Sequence, residues 1–350
     1  MEKTISLLLA WMLCLLPSTI LAKSRPVPPP LLLNPVEKTA AQEEDPGFDI
    51  VLTFAGDVML ASFKNQTASG NFNDYVNKNE PSYFLQKVKP IFEADDLTLV
   101  NLENVLTDKV LPEREKAQAS AYWYFSRTAN TKILTESSVE AVSLANNHTG
   151  DYGPEGFADT KKAVQAAGLL CGTNDDTFYF EKNGYWIAFI CHGLWNERQA
   201  NDIISRIHKA EENSDFQIVF CHGGTERIHA PEDWKKSAAH KLVDNGADLV
   251  IGGHPHVLQP REVYNGVEII YSMGNFCYGG NKYPENRTIL YQYTLHIGED
   301  GKLESQSSEI IPCYVYTGNK GNDYCPAVIE DEAVRQKVLD FMNGKRDSPL

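Results

Sequence analysis

"DNGADLVIGGHPHVLQPREVYNGVEIIYSMGNF", residues 244–276, runs through most of the element types of the chain in one stretch. Gly246 stops the helical pattern of PEDWKKSAAHKLVDNG, which has Pro231 at its start and Trp234, Ala238 and Leu242 on its buried stripe. DLVIGGH is an apolar run of strand length that ends on two glycines and His254. REVYNGVEIIYSMGNF then holds two strand-like runs around Asn265-Gly266, a strong hairpin signal. A helix, a buried strand and a hairpin in succession point to an α/β protein with layered mixed β-sheets flanked by helices.

The same alternation extends outward in both directions. DIVLTFAG, DLTLVNLE, VEAVSLANNH, GYWIAFICHG and FQIVFCHGG are apolar runs that predict strands. Between them, SYFLQKVKPIFEA, NTKILTESS, GPEGFADTKKAVQAAG and the segment from about Glu197 to Asn213 predict helices. Residues 287–316 alternate as antiparallel strands around Asp300-Gly301, and a last helix is expected near Asp331 to Met342. No internal repeat is visible.

The first 22 residues carry one early lysine and an apolar stretch from Ile5 to Ala22, broken by Pro17, which predicts a signal peptide or a membrane anchor. Residues 23–47 are rich in proline and charge and are expected to be a linker. The folded domain is then placed at 48–316, with a C-terminal loop and helix at 317–350. The formal charge of −15 excludes nucleic acid as a natural partner, since that would require a basic face. Six of the seven cysteines follow residue 22, and no CxxC pair occurs among them. Export permits disulfides, and Cys313 with Cys325, bracketing YVYTGNKGNDY, is the expected pair. Cys191 and Cys221 lie in apolar runs and are expected to be buried.

The strands end alike. Asp57 follows DIVLTFAG, Glu103 follows DLTLVNL, and Asn147 and His148 follow VEAVSLAN. His222 follows FQIVFC, and His254 and His256 follow DLVIGG. Carboxyl ends of strands share one rim in open α/β sheets, where ligands bind. Imidazole, carboxylate and amide oxygen together suit Mn²⁺, Fe²⁺ or Zn²⁺. His192, in FICHG, repeats the setting of His222 in VFCHGG and is an outer-shell candidate.

Taken together, TFAGDVML, VNLENVLT, SLANNHTGDYGPEGF, CHGGTE and the stretch quoted first resemble the CapA/PgsA family of bacterial capsule and poly-γ-glutamate synthesis proteins. That domain is similar to calcineurin-like metallophosphoesterases, so the resemblance implies a metallophosphoesterase-like sandwich. It implies one or two divalent ions, Mn, Fe, Zn or Ca, held by Asp57, Glu103, Asn147, His222, His254 and His256. It implies His148 as proton donor to a leaving group, Glu226 as a further carboxylate, and Asn275 as a residue that orients a ligand. Met59 occupies the place of a histidine, and a thioether is a poor ligand for a hard dication. The implied role is an exported, membrane-tethered capsule or polyglutamate biosynthesis protein with a hydrolase-like centre. The alternative is a non-catalytic accessory subunit that handles polymer. Its expected partners are the polyanionic polymer and membrane synthase subunits, at the cell surface or in the periplasm.

Overall fold

The computed structural model describes residues 47–63, 65–66, 68–117, 122–317 and 321–350. The signal or anchor expected at 1–22 and nearly all of the linker expected at 23–47 lie outside them. Among the described residues no helix is long and apolar enough to cross a membrane.

Two mixed sheets pack face to face. The first has seven strands in the order Ala327–Val328, Leu303–Tyr314, Arg287–Ile297, Phe48–Val58, Leu97–Leu102, Ala141–Ser143 and Leu170–Gly172. From Phe48–Val58 onward its neighbours run parallel, and the other half is antiparallel. The second has six, in the order Leu258–Tyr264, Val267–Met273, Leu249–Gly253, Phe216–His222, Tyr185–Gly193 and Thr177–Lys182. Its four inner strands are parallel and both edge strands are antiparallel.

The strand sequences are nearly continuous apolar runs because both faces are covered. Ile50, Leu52 and Phe54 of one sheet meet Phe189, Ile218, Phe220 and Ile251 of the other in the core between the sheets. Alternate residues, Val219, Cys221 and Val250, point outward under the helices Ala200–Ala210 and Asp233–Asp244. On the opposite side Val100 and Val142 pack with Phe72, Phe84, Ile133 and Val164. The helix Glu332–Met342 sends Val338, Phe341 and Met342 into the inter-sheet core, so the segment after 316 is packed onto the domain.

The two sheets join at their carboxyl rims. Asp57 donates its backbone N–H to Gly274 O at 3.0 Å, and Phe276 donates to Asp57 O at 2.7 Å. A Cβ at Gly56 would stand 2.0 Å from Gly274 O, so only glycine permits this approach. A register shift between Phe54 and Asp57 marks a bulge that re-aims the strand end beside the junction.

Both predicted hairpins form, and Asn265 (φ 50°) and Gly266 (φ 83°) turn the first as a type I′ sequence would. Two expectations are corrected. SYFLQKVKPIFEA is not one helix but a 3₁₀ turn at Pro81–Tyr83 and a short helix Lys89–Phe92. Pro90 has no N–H to donate and its ring clashes with the carbonyl four residues back, so a helix starts there and cannot run through. The Cys313–Cys325 disulfide is absent: both thiols are free and buried. Cys313 pairs with Val328 across the sheet edge, while the Cys325 thiol turns to Tyr83 O at 3.4 Å. Cys191 and Cys221 are buried as expected.

Candidate metal centre

Asp57, Glu103, His222, His254 and His256 come together where the two rims meet. The first sheet supplies Asp57 at the end of Phe48–Val58 and Glu103 one residue beyond Leu97–Leu102. The second supplies His222 as the last residue of Phe216–His222, with His254 and His256 in the loop after Leu249–Gly253. His254 (φ 92°) and His256 (φ 57°) both adopt left-handed backbone, costly for non-glycine residues and typical of functional loops. Arg227 N donates to Pro255 O at 2.8 Å and Asn281 Nδ2 to His256 O at 2.9 Å, which holds that loop in place. A Cβ at Gly253 would stand 2.9 Å from Asp57 Oδ1, so the glycine leaves the carboxylate its room.

Three trios have potential ligand atoms within 4.8 Å of one another: Glu103, His222 and His254; Asp57, Glu103 and His256; Glu226, His254 and His256. Glu103 belongs to the first two, the position of a bridging carboxylate. It is fully buried, and neither of its oxygens has a hydrogen-bond partner. An ionised carboxylate in that state is strongly destabilising unless a cation faces it. Around His222 Nε2 lie Asn147 Oδ1 at 2.9 Å, His254 Nδ1 at 3.2 Å and Glu103 Oε1 at 3.4 Å. Lone pairs converging from four side chains are a donor set that fits a divalent cation.

Titration follows the same field. Burial would raise the Asp57 carboxyl, yet hydrogen bonds from His222 and His256 hold it well below the usual carboxylate range. Burial would lower His222, but Glu103 and Asp57 raise it to about 9. His256 is shifted upward against its burial by Glu103 and then Asp57. His254 goes the other way, pushed down to about 2 by burial and by its neighbours His222 and His256. The negative potential that lifts two imidazoles would equally attract a dication.

His148 stands beside this cluster. Its Nδ1 lies 2.8 Å from Asp151 Oδ2, and its ring meets Tyr124 edge-on at 4.8 Å. Asp151 is fully buried and is fixed by Lys116 Nζ at 2.5 Å and by Tyr124 N at 2.8 Å. His148, His256 and Glu226 line one cavity of about 290 Å³. Glu226 is exposed. Asn275 Oδ1 is 2.8 Å from His256 Nδ1 and so sets that ring's orientation.

His192 is not brought to the cluster. It pairs in register with Cys221, one residue off His222, and therefore faces the helix side of the sheet. There its Nδ1 bonds Gly193 O at 2.6 Å, and burial lowers its pKa. Met59 is buried with Ala61, Tyr278, Val315 and Tyr316 in an apolar cluster.

Sequence reasoning missed several neighbours. Asn101 Nδ2 donates to Asp57 Oδ1 at 2.8 Å and lies 3.1 Å from His222 Nδ1, and Asn146 Nδ2 donates to Asn101 Oδ1 at 3.0 Å. Asn101 was findable, because it lies two residues before Glu103, on the same strand face. Asp151, three residues after His148, was findable too. Trp195, edge-on to His254 at 4.9 Å, sits in a loop with no periodic signal.

The chain matches the family model described as "Bacterial capsule synthesis protein PGA_cap" over residues 51–279. It is 29% identical to the "PGA biosynthesis protein CapA" of Bacillus subtilis (strain 168), over 83% of this chain and 78% of that protein. With the "Capsule biosynthesis protein CapA" of Bacillus anthracis it shares 26% identity over 86% of this chain and 77% of the other. A solved structure of a hypothetical protein from Thermus thermophilus aligns with a TM-score of 0.44 at 16% identity, covering 75% of this chain and 99% of that one.

Proposed function

The chain belongs to the bacterial capsule synthesis family PGA_cap, the CapA/PgsA family, and on that premise we propose that it is an exported, membrane-tethered protein of poly-γ-glutamate capsule biosynthesis with a metal-dependent, hydrolase-like centre. The observation that carries the chemical part is the Glu103 carboxylate, buried, shared by two ligand trios and without a well-formed hydrogen bond, faced by His222 Nε2 at 3.4 Å and His256 Nε2 at 3.9 Å. Asp57, Glu103, His222, His254 and His256, with Asn147, are the residues that would hold one or two divalent ions, Mn, Fe, Zn or Ca. A bound dication supplies Lewis acidity at the phosphoester or amide-type bond to be broken.

The protein's own groups handle the proton and the geometry. Because Nδ1 of His148 is engaged by Asp151, Nε2 is the nitrogen left to hold a proton toward the cavity. Asp151 orients the His148 ring, and Lys116 holds Asp151 in place. Asn101 and Asn275 fix Asp57, His222 and His256 in orientation, as outer partners of metal ligands do. Glu226 adds a second proton-handling group at the mouth of the cavity. The tether rests on the apolar stretch from Ile5 to Ala22 and the proline-rich segment after it.

The test is metal analysis of the purified full chain before and after chelation, followed by hydrolysis assays on phosphoesters and γ-glutamyl polymer with the identified ion. Stoichiometric Mn, Fe, Zn or Ca that chelation removes, with turnover that returns on reloading, is expected. Protein without stoichiometric metal overturns the reading.

One observation favours a second reading, a non-catalytic accessory subunit. Met59, at the place of an expected ligand, lies in an apolar cluster, and the further carboxylate of that cavity is the exposed Glu226. His148→Ala separates the two: polymer production that survives this change, with metal still bound, assigns the accessory role.

A further inference from the structure

Next to the centre lies space that the chemistry above does not use. A cavity of about 530 Å³ reaches His254 and Glu226, and a second of about 940 Å³ continues from it. Arg114, Asn147, Gly150 and Trp195 line both, so the two form one groove leading away from the metal ligands.

Charge is distributed unevenly along that groove. Arg114 is the one cationic side chain lining the larger cavity among the described residues, against the acidic Glu113, Glu155 and Asp175. Its guanidinium makes no hydrogen bond or ion pair with any described residue, although its backbone is fixed. Arg114 N donates to Asp151 O at 2.8 Å, and Arg114 O accepts from Trp123 Nε1 at 2.8 Å. A Cβ at Gly150 would stand 3.3 Å from Arg114 Nη1, so the guanidinium lies over the glycine at the junction of the cavities. Lys116, the other cation nearby, is committed to Asp151 and to Tyr122 O. Beyond Arg114 the wall is apolar and aromatic, with Leu111, Leu144, Tyr152 and Phe157.

We propose that this groove is a binding site for a ligand with one anionic group, held by Arg114, and an uncharged apolar body seated in the 940 Å³ cavity. A planar guanidinium with all its donors available pairs well with a carboxylate, sulfonate or phosphate. The acids along the groove are in part neutralised, Glu155 by Lys109 Nζ at 2.9 Å and Asp151 by Lys116, which leaves Arg114 as the cation open to a ligand. The inference rests on the centre described above as the place of reaction, and it assigns the substrate's non-reacting part to this groove. The reacting compound thus carries, away from the bond to be broken, one anionic group and an uncharged apolar body.

The test is run on the full chain with chelator present, so that metal binding plays no part and failure of the hydrolase reading leaves it intact. The probes are 8-anilinonaphthalene-1-sulfonate, a mono-anion with an apolar body, and N-phenyl-1-naphthylamine, its uncharged counterpart, both followed by fluorescence. Saturable one-site binding of the sulfonate is expected. Arg114→Ala should weaken it at least about tenfold, the effect of losing one charge-assisted hydrogen bond. Arg114→Lys should be intermediate, and the uncharged probe should bind all three proteins alike. Arg114 is exposed, so the variants should keep the wild-type melting temperature. The proposal is overturned if the wild type does not bind the sulfonate saturably, if Arg114→Ala binds it as wild type does, or if that variant loses both probes in parallel.

Discussion

Replacing Glu103 with glutamine tests the centre at its least tolerant point. The substitution keeps the shape of a fully buried side chain but removes the charge common to two of the three ligand trios. A cation that binds only the folded chain adds about 2.7 kcal/mol of stability at a hundred times its dissociation constant. Unfolding entropy of about 2.1 cal/mol/K per residue, over a domain of about 300 residues, gives roughly 0.6 kcal/mol per degree. The wild-type full chain should therefore melt about 4 °C higher when its metal is added at that excess. Glu103→Gln should cut that rise to below about 1 °C, because an amide oxygen is a much weaker ligand for a hard dication than a carboxylate. Differential scanning calorimetry with Mn²⁺, Zn²⁺ and Ca²⁺, each against a chelated control, measures both. If Glu103→Gln keeps the whole metal-dependent rise, the buried carboxylate does not hold the ion and the argument built on it fails.

Three further outcomes follow from the same contacts. Asn101→Ala strips a donor from Asp57 and a partner from His222, and should destabilise the chain by about 1–3 kcal/mol in urea unfolding; an unchanged midpoint would remove Asn101 from the support of the site. Gly56→Ala forces a Cβ against the backbone oxygen of Gly274, and should lower the melting temperature by several degrees or abolish soluble expression; a wild-type melt would show that the rims can part freely. Glu140, which accepts from Thr98 N at 2.8 Å, is raised to about 7 by burial and by Asp95. Its folded pKa lies above its unfolded one, so its stabilising contribution is complete at low pH and is lost as pH rises through about 7. Glu140→Gln should accordingly narrow the difference in melting temperature between pH 5 and pH 8, and a variant with the wild-type difference would assign that loss to other groups.

Much of this was legible in the chain. Apolar runs ending on Asp57, Glu103, His222 and His254 carried both the strands and the convergence of their ends, because a buried parallel strand has few other places for a polar group. Asn265-Gly266 and Asp300-Gly301 announced their hairpins by the left-handed backbone such turns need. What escaped depends on three-dimensional neighbours. The pairing of Thr177–Lys182 with Tyr185–Gly193, turning at Asn183-Gly184, hid in a segment without strict alternation. The setting of His192 required register, since a one-residue offset moves a side chain to the opposite face. The Cys313–Cys325 expectation followed from spacing alone, which cannot see that the Cys325 thiol turns to Tyr83 O and the Cys313 thiol to Ile311 O.

The junction of the two rims also orders events in time. Asp57 and the backbone of His254, 197 residues apart, meet directly there, and the intervening chain supplies Glu103 and His222. A chain emerging from its amino end has both carboxylates long before it has either histidine of the last loop. The centre is therefore complete only when the second sheet has docked on the first, so capture of an ion there would be a closing event of folding and not its nucleus. Protection of the His254–His256 loop from hydrogen exchange would consequently report the docking of whole sheets, on a much slower clock than the formation of any single strand.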